Sequence, residues 1–196
     1  MFVQVFQAKV RDVDRWAQRV DVWRAEIKPV TDGFLGFTSG VTADGEMVTL
    51  VRFTSQEAAQ ADSAMPAQSA WFEETSKVFE GPVGFHDCRD VDVLLDGGSD
   101  RAGFVQVMQG RAKDQAAMRS EMRSIEPALR AARPDLIGAT IAWHGDGSFT
   151  QASYFTSEVE ARTNEKAMAD TPLREQFLSL IDGELTFFDL STPEFA

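Results

Sequence analysis

Residues 2–10 are mostly apolar on both of their alternating faces. Phe2, Gln4, Phe6 and Ala8 fall on one side of residues 2–10, and Val3, Val5 and Gln7 on the other, which predicts a β-strand. The period then changes. Trp16, Val20, Trp23 and Ile27 follow spacings of 4, 3 and 4, one apolar stripe of a helix. Two more strands, over 34–41 and 47–54, are joined through Asp44-Gly45, a hairpin signal because glycine accepts positive φ. Thr54 and Glu57 have capping-box spacing, and residues 56–80 read as two helical pieces broken near Pro66. A last strand follows Gly81, with the sequence Val83-Gly-Phe-His-Asp-Cys88.

The pattern is then written a second time. Phe104-Val-Gln-Val107 repeats Phe2-Val-Gln-Val5, Asp146-Gly147 repeats Asp44-Gly45, and Phe155-Thr-Ser157 repeats Phe53-Thr-Ser55, each 102 positions on. Residues 2–94 and 104–196 are identical at 19 of 93 aligned positions, so the repeat fixes the architecture. The helical stripe returns as Met118, Met122, Ile125 and Leu129: every side chain differs while the register is kept, as packing requires. Copy two predicts strands over 136–143 and 149–156, a cap at Ser157 with Glu160, and a helix break at Thr171-Pro172. It also carries Pro127 inside its first helix, which predicts a kink or an interruption there. Trp71, Val78 and Phe79 correspond in this register to Leu173, Leu180 and Ile181.

Each half therefore has the order β-α-β-β-α-α-β. The expected fold class is α+β: two ferredoxin-like repeats whose antiparallel sheets form one pseudo-dimeric α/β barrel. The expected boundaries are 1–95 for the first repeat, 96–103 for a linker beginning Asp96-Gly-Gly-Ser, and 104–196 for the second repeat. Val91, Val93, Leu94 and Leu95 are apolar enough to add a short strand to a sheet edge. The chain should be a self-contained pseudo-dimer, with its outer surfaces open to a further homodimer.

Charge narrows the partners. Nineteen basic against thirty-one acidic residues leave a net charge of −12, which repels nucleic acid and anionic membrane. The single Cys88 makes no intrachain disulfide and no Cys-rich metal site. No apolar run approaches the roughly 20 residues that span a bilayer, and Met1 runs straight into the first strand, so a cytoplasmic protein without a leader is expected. The P-loop, G-x-G-x-x-G, H-E-x-x-H and G-x-S-x-G patterns are missing, and the two histidines lie in different repeats. No metal and no bound cofactor is expected.

The opening Phe2-Val-Gln-Val5, Gly33-Phe-Leu-Gly36, Phe53-Thr-Ser55 and Phe85-His-Asp87 resemble the antibiotic-biosynthesis-monooxygenase-like superfamily of dimeric α/β barrels. The resemblance covers nearly the whole chain, twice. Haem-degrading members use an Asn on the first strand and a Trp and a His around the second helix. Aligning Ala8-Lys9-Val10 and Pro66-Ala67 with that pattern puts Phe6, Asp62 and Phe72 there, and Met108, Met168 and Leu178 in copy two. None of the six can take those roles, so haem degradation is disfavoured. The quinone-forming members hold a phenolate-like substrate in an aromatic pocket between sheet and helices. That branch implies a cofactor-independent monooxygenase acting on a small aromatic or polyketide-like substrate. The alternative is a non-catalytic ligand-binding or structural protein.

Candidate ligand-binding residues are Gln4 and Gln106, two amides repeated on a face otherwise made of Phe2, Phe6, Phe104 and Met108, together with Phe6, Met108 and Trp71 as walls. The competing reading is that each glutamine bonds neighbouring backbone. Candidate catalytic groups are Tyr154, its counterpart Arg52, and His86. Tyr154 is equally a packed tyrosine with its hydroxyl at the sheet edge. His86 and Asp87 are adjacent on one strand and face opposite ways, so they form no dyad. His144 is expected in solvent beside its hairpin, and Cys88 as a small buried hydrophobe.

Overall fold

A computed structural model describes residues 1–196. One unit contains β1 (Phe2–Val10), α1 (Val13–Val22), β2 (Phe34–Val41), β3 (Glu46–Phe53), α2 (Gln56–Ser63), α3 (Pro66–Ser76) and β4 (Phe79–Cys88). The other contains β5 (Asp90–Leu94), β6 (Phe104–Ala112), α4 (Gln115–Ala132), β7 (Leu136–Trp143), β8 (Ser148–Phe155), α5 (Glu158–Ala167), α6 (Pro172–Ser179) and β9 (Ile181–Leu190). A short β10 (Glu194–Phe195) returns to the first unit, which thus comprises residues 1–89 and 194–196, while the second comprises 90–193.

Each unit has one antiparallel five-stranded sheet, ordered β10-β2-β3-β1-β4 in the first and β5-β7-β8-β6-β9 in the second. Four consecutive strands, β2-β3-β1-β4 and β7-β8-β6-β9, follow the ferredoxin-like order. The fifth comes from outside the repeat: Asp90–Leu94 pairs with β7, and Glu194–Phe195 pairs with β2. Residues 91–94 of this apolar segment therefore lie in an edge strand of the second unit, which ends before Leu95. It is clamped there by charge, because Asp92 accepts from Arg119 (2.5 Å), Arg123 (3.2 Å) and the Trp143 indole (2.7 Å). Arg24 holds β10 in the same manner, donating to the Phe195 carbonyl at 2.9 Å and pairing with Glu194.

Helices cover one face of each sheet. Trp16, Val20, Trp23 and Ile27 are all buried and pack with Phe6, Ala8, Phe37, Met47 and Phe79; Met118, Met122 and Ile125 do the same over Met108, Ile141 and Phe149. No helix is long and apolar enough to cross a membrane. The two hairpins turn at Gly45 and Gly147, both at φ +88°, a conformation that L side chains rarely adopt.

Several local expectations are corrected. Pro127 does not break α4, which runs from Gln115 to Ala132. A proline there removes one N–H, the donor to the carbonyl four residues back, and the helix continues with Met118, Met122 and Ile125 buried along one side. The break falls in the first unit, where α1 opens at Trp23 into a π-type turn, Trp23–Ile27, closed by the Lys28 N–H on the Trp23 carbonyl. Helix α2 is capped by Ser55, whose hydroxyl accepts from the Ala58 amide at 3.2 Å, and not by Thr54; Ser157 does cap α5. His144 is half-buried and bonds Thr150 (2.9 Å) and Ser148 (3.1 Å), fastening its hairpin. Counting from Pro66 and Pro172, Trp71 matches Phe177 and not Leu173, because α5 is two residues longer than α2 and α6 is three shorter than α3.

Removing residues 194–196 should strip the Phe37 amide of its acceptor, the Ala196 carbonyl at 3.0 Å. Hydrogen exchange at Phe37 should accelerate at least tenfold while Val105 and Val107 stay protected. Unchanged exchange at Phe37 would show that β10 adds nothing to the first sheet.

Candidate functional site

The register of the central strand decides what faces the helices. Gln4 lies opposite Val51 on one side and Asp87 on the other, and Phe6 opposite Thr49 and Phe85. All of these side chains share the helix-side face. Between that face and the helices of the first unit is a cavity of about 70 Å³. Eight aromatic rings line it, among them Phe6, Trp16, Trp23, Trp71, Phe72 and Phe85. Phe85 stacks on Phe6 and meets Phe72, each with ring centroids 5.9 Å apart. On the same measure a single water needs roughly 10–15 Å³, so the space holds about five to seven such groups, room for a single ring and not for a fused polycycle.

Polar groups in this wall are few. The Trp71 indole donates to the Arg19 carbonyl at 2.7 Å and the Trp23 indole to Gln68 at 3.0 Å. The Trp16 indole N–H is buried with no partner, an expensive state for a donor. Asp62 is 7% exposed and also lines the cavity. Its only side-chain partner is the Thr31 hydroxyl, at 3.0 Å, and that hydroxyl lies 3.0 Å from the Ile27 carbonyl as well. A threonine has one proton to give. With Asp62 ionised, two acceptors compete for it. With Asp62 protonated, the carboxyl donates to Thr31 and Thr31 donates to Ile27, so both contacts are satisfied. Burial pushes the Asp62 carboxyl above its ordinary value, and the Thr31 hydrogen bond only partly opposes this.

The second unit solved the same site differently. Thr31 and Asp62 correspond to Arg133 and Asn164. The buried carboxylate there is Asp135, held by both arms of Arg133 (3.0 and 2.8 Å) and by the Asn164 amide (2.7 Å). A bidentate cation neutralises Asp135, whereas Asp62 has only a hydroxyl. The second cavity is about 210 Å³, with walls from Met108, Met122, Met168, Leu173 and Phe177 and polar groups from Gln106, Gln151, Arg162 and Arg174.

The structure places Gln4, Phe6 and Trp71 on the first cavity and Gln106 and Met108 on the second. Neither glutamine bonds backbone through its side-chain N–H. Gln4 donates to Asp87 at 2.9 Å and Gln106 to Asp189 at 3.0 Å, one cross-strand pair repeated 102 residues apart. Phe6, Asp62 and Phe72 meet at the first cavity and Met108 and Met168 at the second, while Leu178 lines neither. Arg52, Tyr154 and His86 lie on the other face of their sheets: Arg52 and Cys88 stand opposite Val3, His86 opposite Val5, and Tyr154 opposite Val105. Arg52 bonds Thr38 at 3.0 Å, and Tyr154 is fully buried within its strand, away from any sheet edge. Cys88 is also fully buried, and burial pushes its thiol up to about 12, an inert group. Nowhere do three His, Cys, Asp or Glu side chains gather as metal ligands. Sequence reasoning passed over Asp62 as a site residue. The available signal was its place three residues after Ala59 on the inward side of a short helix, where a charge is out of pattern.

The sequence matches no protein-family model and no curated protein. Solved structures do share its fold. A "putative monooxygenase" from Lactobacillus acidophilus NCFM superposes over 98% of this chain and 94% of its own, with a TM-score of 0.70 and 12% identity. An "anthrone oxidase-like protein" covers 100% and 93%, with a TM-score of 0.66 and 12% identity. A ferredoxin fold protein "related to antibiotic biosynthesis monooxygenases" from Listeria monocytogenes 4b F2365 covers 96% and 94%, with a TM-score of 0.50 and 11% identity. What this likeness establishes is the fold: the chain shares the two-unit ferredoxin-like architecture of these proteins.

Proposed function

We propose that this chain is a cofactor-independent monooxygenase-like enzyme, and that the first unit converts a single-ring phenol to a quinone. The observation that carries the reading is Asp62: a carboxyl in an aromatic-walled cavity, with raised proton affinity and no cation to hold it ionised. A fold shared with proteins named as monooxygenases and as anthrone oxidase-like supports the reaction class. In the proposed step Asp62, once ionised, takes the phenolic proton. The electron-rich phenolate ring then reduces molecular oxygen. One oxygen atom stays on the ring and the other leaves as water, so phenol plus O₂ gives quinone plus H₂O. The raised affinity makes Asp62 a stronger base than a solvated aspartate. The unpaired Trp16 N–H is available to a substrate oxygen, and Gln4, oriented by Asp87, sits at the cavity wall to align a second ring substituent.

A second reading is favoured by the Thr31 geometry. Asp62 protonated at working pH makes the cavity a recognition site that donates a hydrogen bond, without catalysis.

Oxygen uptake with hydroquinone, corrected for autoxidation and scored by the oxygen-inserted product (hydroquinone plus O₂ gives hydroxybenzoquinone plus H₂O), separates the two. Asp62→Asn should lower uptake at least a hundredfold and leave hydroquinone affinity within about threefold. Uptake unaffected by Asp62→Asn removes the base from the proposal, and binding without uptake in the parent protein selects the recognition reading.

Asp62 also carries a pH signature. Its folded value is raised, so between the ordinary aspartate range, about 3.9, and that higher value the folded chain holds a proton the unfolded chain has lost. Stability therefore falls as pH rises through this window. Asp62→Asn should melt above the parent at pH 7, and the two should converge below about pH 4. Equal melting at both pH values would mean that Asp62 is not raised.

Gln4→Leu and Gln106→Leu should shift stability by no more than about 0.5 kcal/mol, because Asp87 and Asp189 remain reachable by water. Gln4→Leu should weaken hydroquinone binding severalfold in titration calorimetry, and an unchanged affinity would assign Gln4 to the sheet alone.

A further inference from the structure

The second cavity differs from the first in size, wall and charge. Its volume is about three times larger, roughly 210 against 70 Å³. Methionine and leucine replace most of the tryptophan and phenylalanine, giving an unbranched, adaptable wall in place of a rigid aromatic one. At roughly 10–15 Å³ per water-sized group, the space accommodates a body of some fifteen heavy atoms.

Its charges are unusual in a chain of net charge −12, since three arginines line one cavity against a single carboxylate, Glu165. Two are matched: Arg133 by Asp135, and Arg162 by Asp189, Glu158 and Glu165. Arg174 has no carboxylate; its one contact is the Ala169 carbonyl at 3.4 Å. The wall also contains a group the protein leaves unfinished. Gln151 is 8% exposed, donates to Ser153 at 3.0 Å, and has no partner for its amide oxygen. Turned the other way, the same amide would leave its N–H₂ unpaired, so one polar end lacks a bond in either orientation. Buried polar atoms are rarely abandoned; with its N–H₂ end turned inward this amide donates to a ligand oxygen, and an uncompensated cation, Arg174, stands on the same cavity.

We infer that the second unit binds an amphiphilic carboxylate, an apolar body of about ten to fifteen heavy atoms whose acid group meets Arg174. The site is separate from the proposed chemistry at Asp62 and stands or falls without it. An exposed charge pair contributes modestly and is screened by salt, so the apolar body supplies most of the affinity and Arg174 the preference for an anion.

Octanoate and octan-1-ol are the test pair, matched in chain length and different in charge, titrated into the full chain by calorimetry. Octanoate should bind about fivefold more tightly at low salt. Arg174→Ala should abolish the preference and leave octanol unchanged, Arg174→Lys should restore part of it, and 0.5 M salt should reduce it in the parent. Leu173→Trp, which fills the cavity from α6, should weaken both ligands at least tenfold with the circular dichroism spectrum retained. No binding of either ligand, equal binding of both, a preference that survives Arg174→Ala, or octanoate binding that survives Leu173→Trp would each overturn the assignment.

Discussion

The register of the central strand in each sheet is the constraint on which both cavities rest. β1 is hydrogen-bonded on both sides, so Gln4 must stand between Val51 and Asp87, and Phe6 between Thr49 and Phe85. A slip of one residue would turn Phe2, Gln4, Phe6 and Ala8 to the other face and bring Val3 and Val5 under the helices. The aromatic wall, the Gln–Asp pair and the approach of the helices to the sheet would be lost together. Neighbours on both sides make such a slip costly, and β6 obeys the same rule with Gln106 between Ser153 and Asp189.

On that shared frame the two units handle one buried acid in opposite ways. In the second unit, Arg133 faces Asp135 with two parallel hydrogen bonds, a closed ion pair whose charge is cancelled where it lies. In the first, threonine occupies the arginine's position, and the acid has moved onto α2 as Asp62. Asp135 has a cation against it, and Asp62 has one hydroxyl and a proton affinity raised by burial. The exchange of arginine for threonine thus leaves the buried acid of the first unit without a cation. Cavity size changed in parallel, through a shorter α6 and smaller wall residues.

Most of the fold was legible in the sequence, because it is carried by periodicity and by glycine geometry. The alternation at 2–10, the stripe Trp16-Val20-Trp23-Ile27 and the two Asp-Gly turns each state a local requirement that the sheet and helices meet. Proline misled: Pro127 is tolerated because its helix is held by Met118, Met122 and Ile125, and that support comes from packing that no local rule records. The site was half legible. Gln4 and Gln106 stood out as repeated amides on an apolar face, but their partners Asp87 and Asp189 are 83 positions away, joined only by strand pairing. Asp62 was harder still, since its surroundings combine Thr31 from the end of one helical segment with rings from the sheet and from α3. Arg52 and Tyr154 attracted attention as divergent counterparts, yet the parity of β3 and β8 sends both to the face away from the helices.

The edge strands set an order in time. Residues 90–193 form a continuous stretch, so the second unit has all five of its strands once Leu190 has been made. The first unit, although translated earlier, lacks β10 until residues 194–196 leave the ribosome. During the synthesis of the intervening hundred residues, the outer edge of β2 has unpaired backbone groups that another chain could adopt. The half made first is thus the half completed last, and it is the half that contains Asp62.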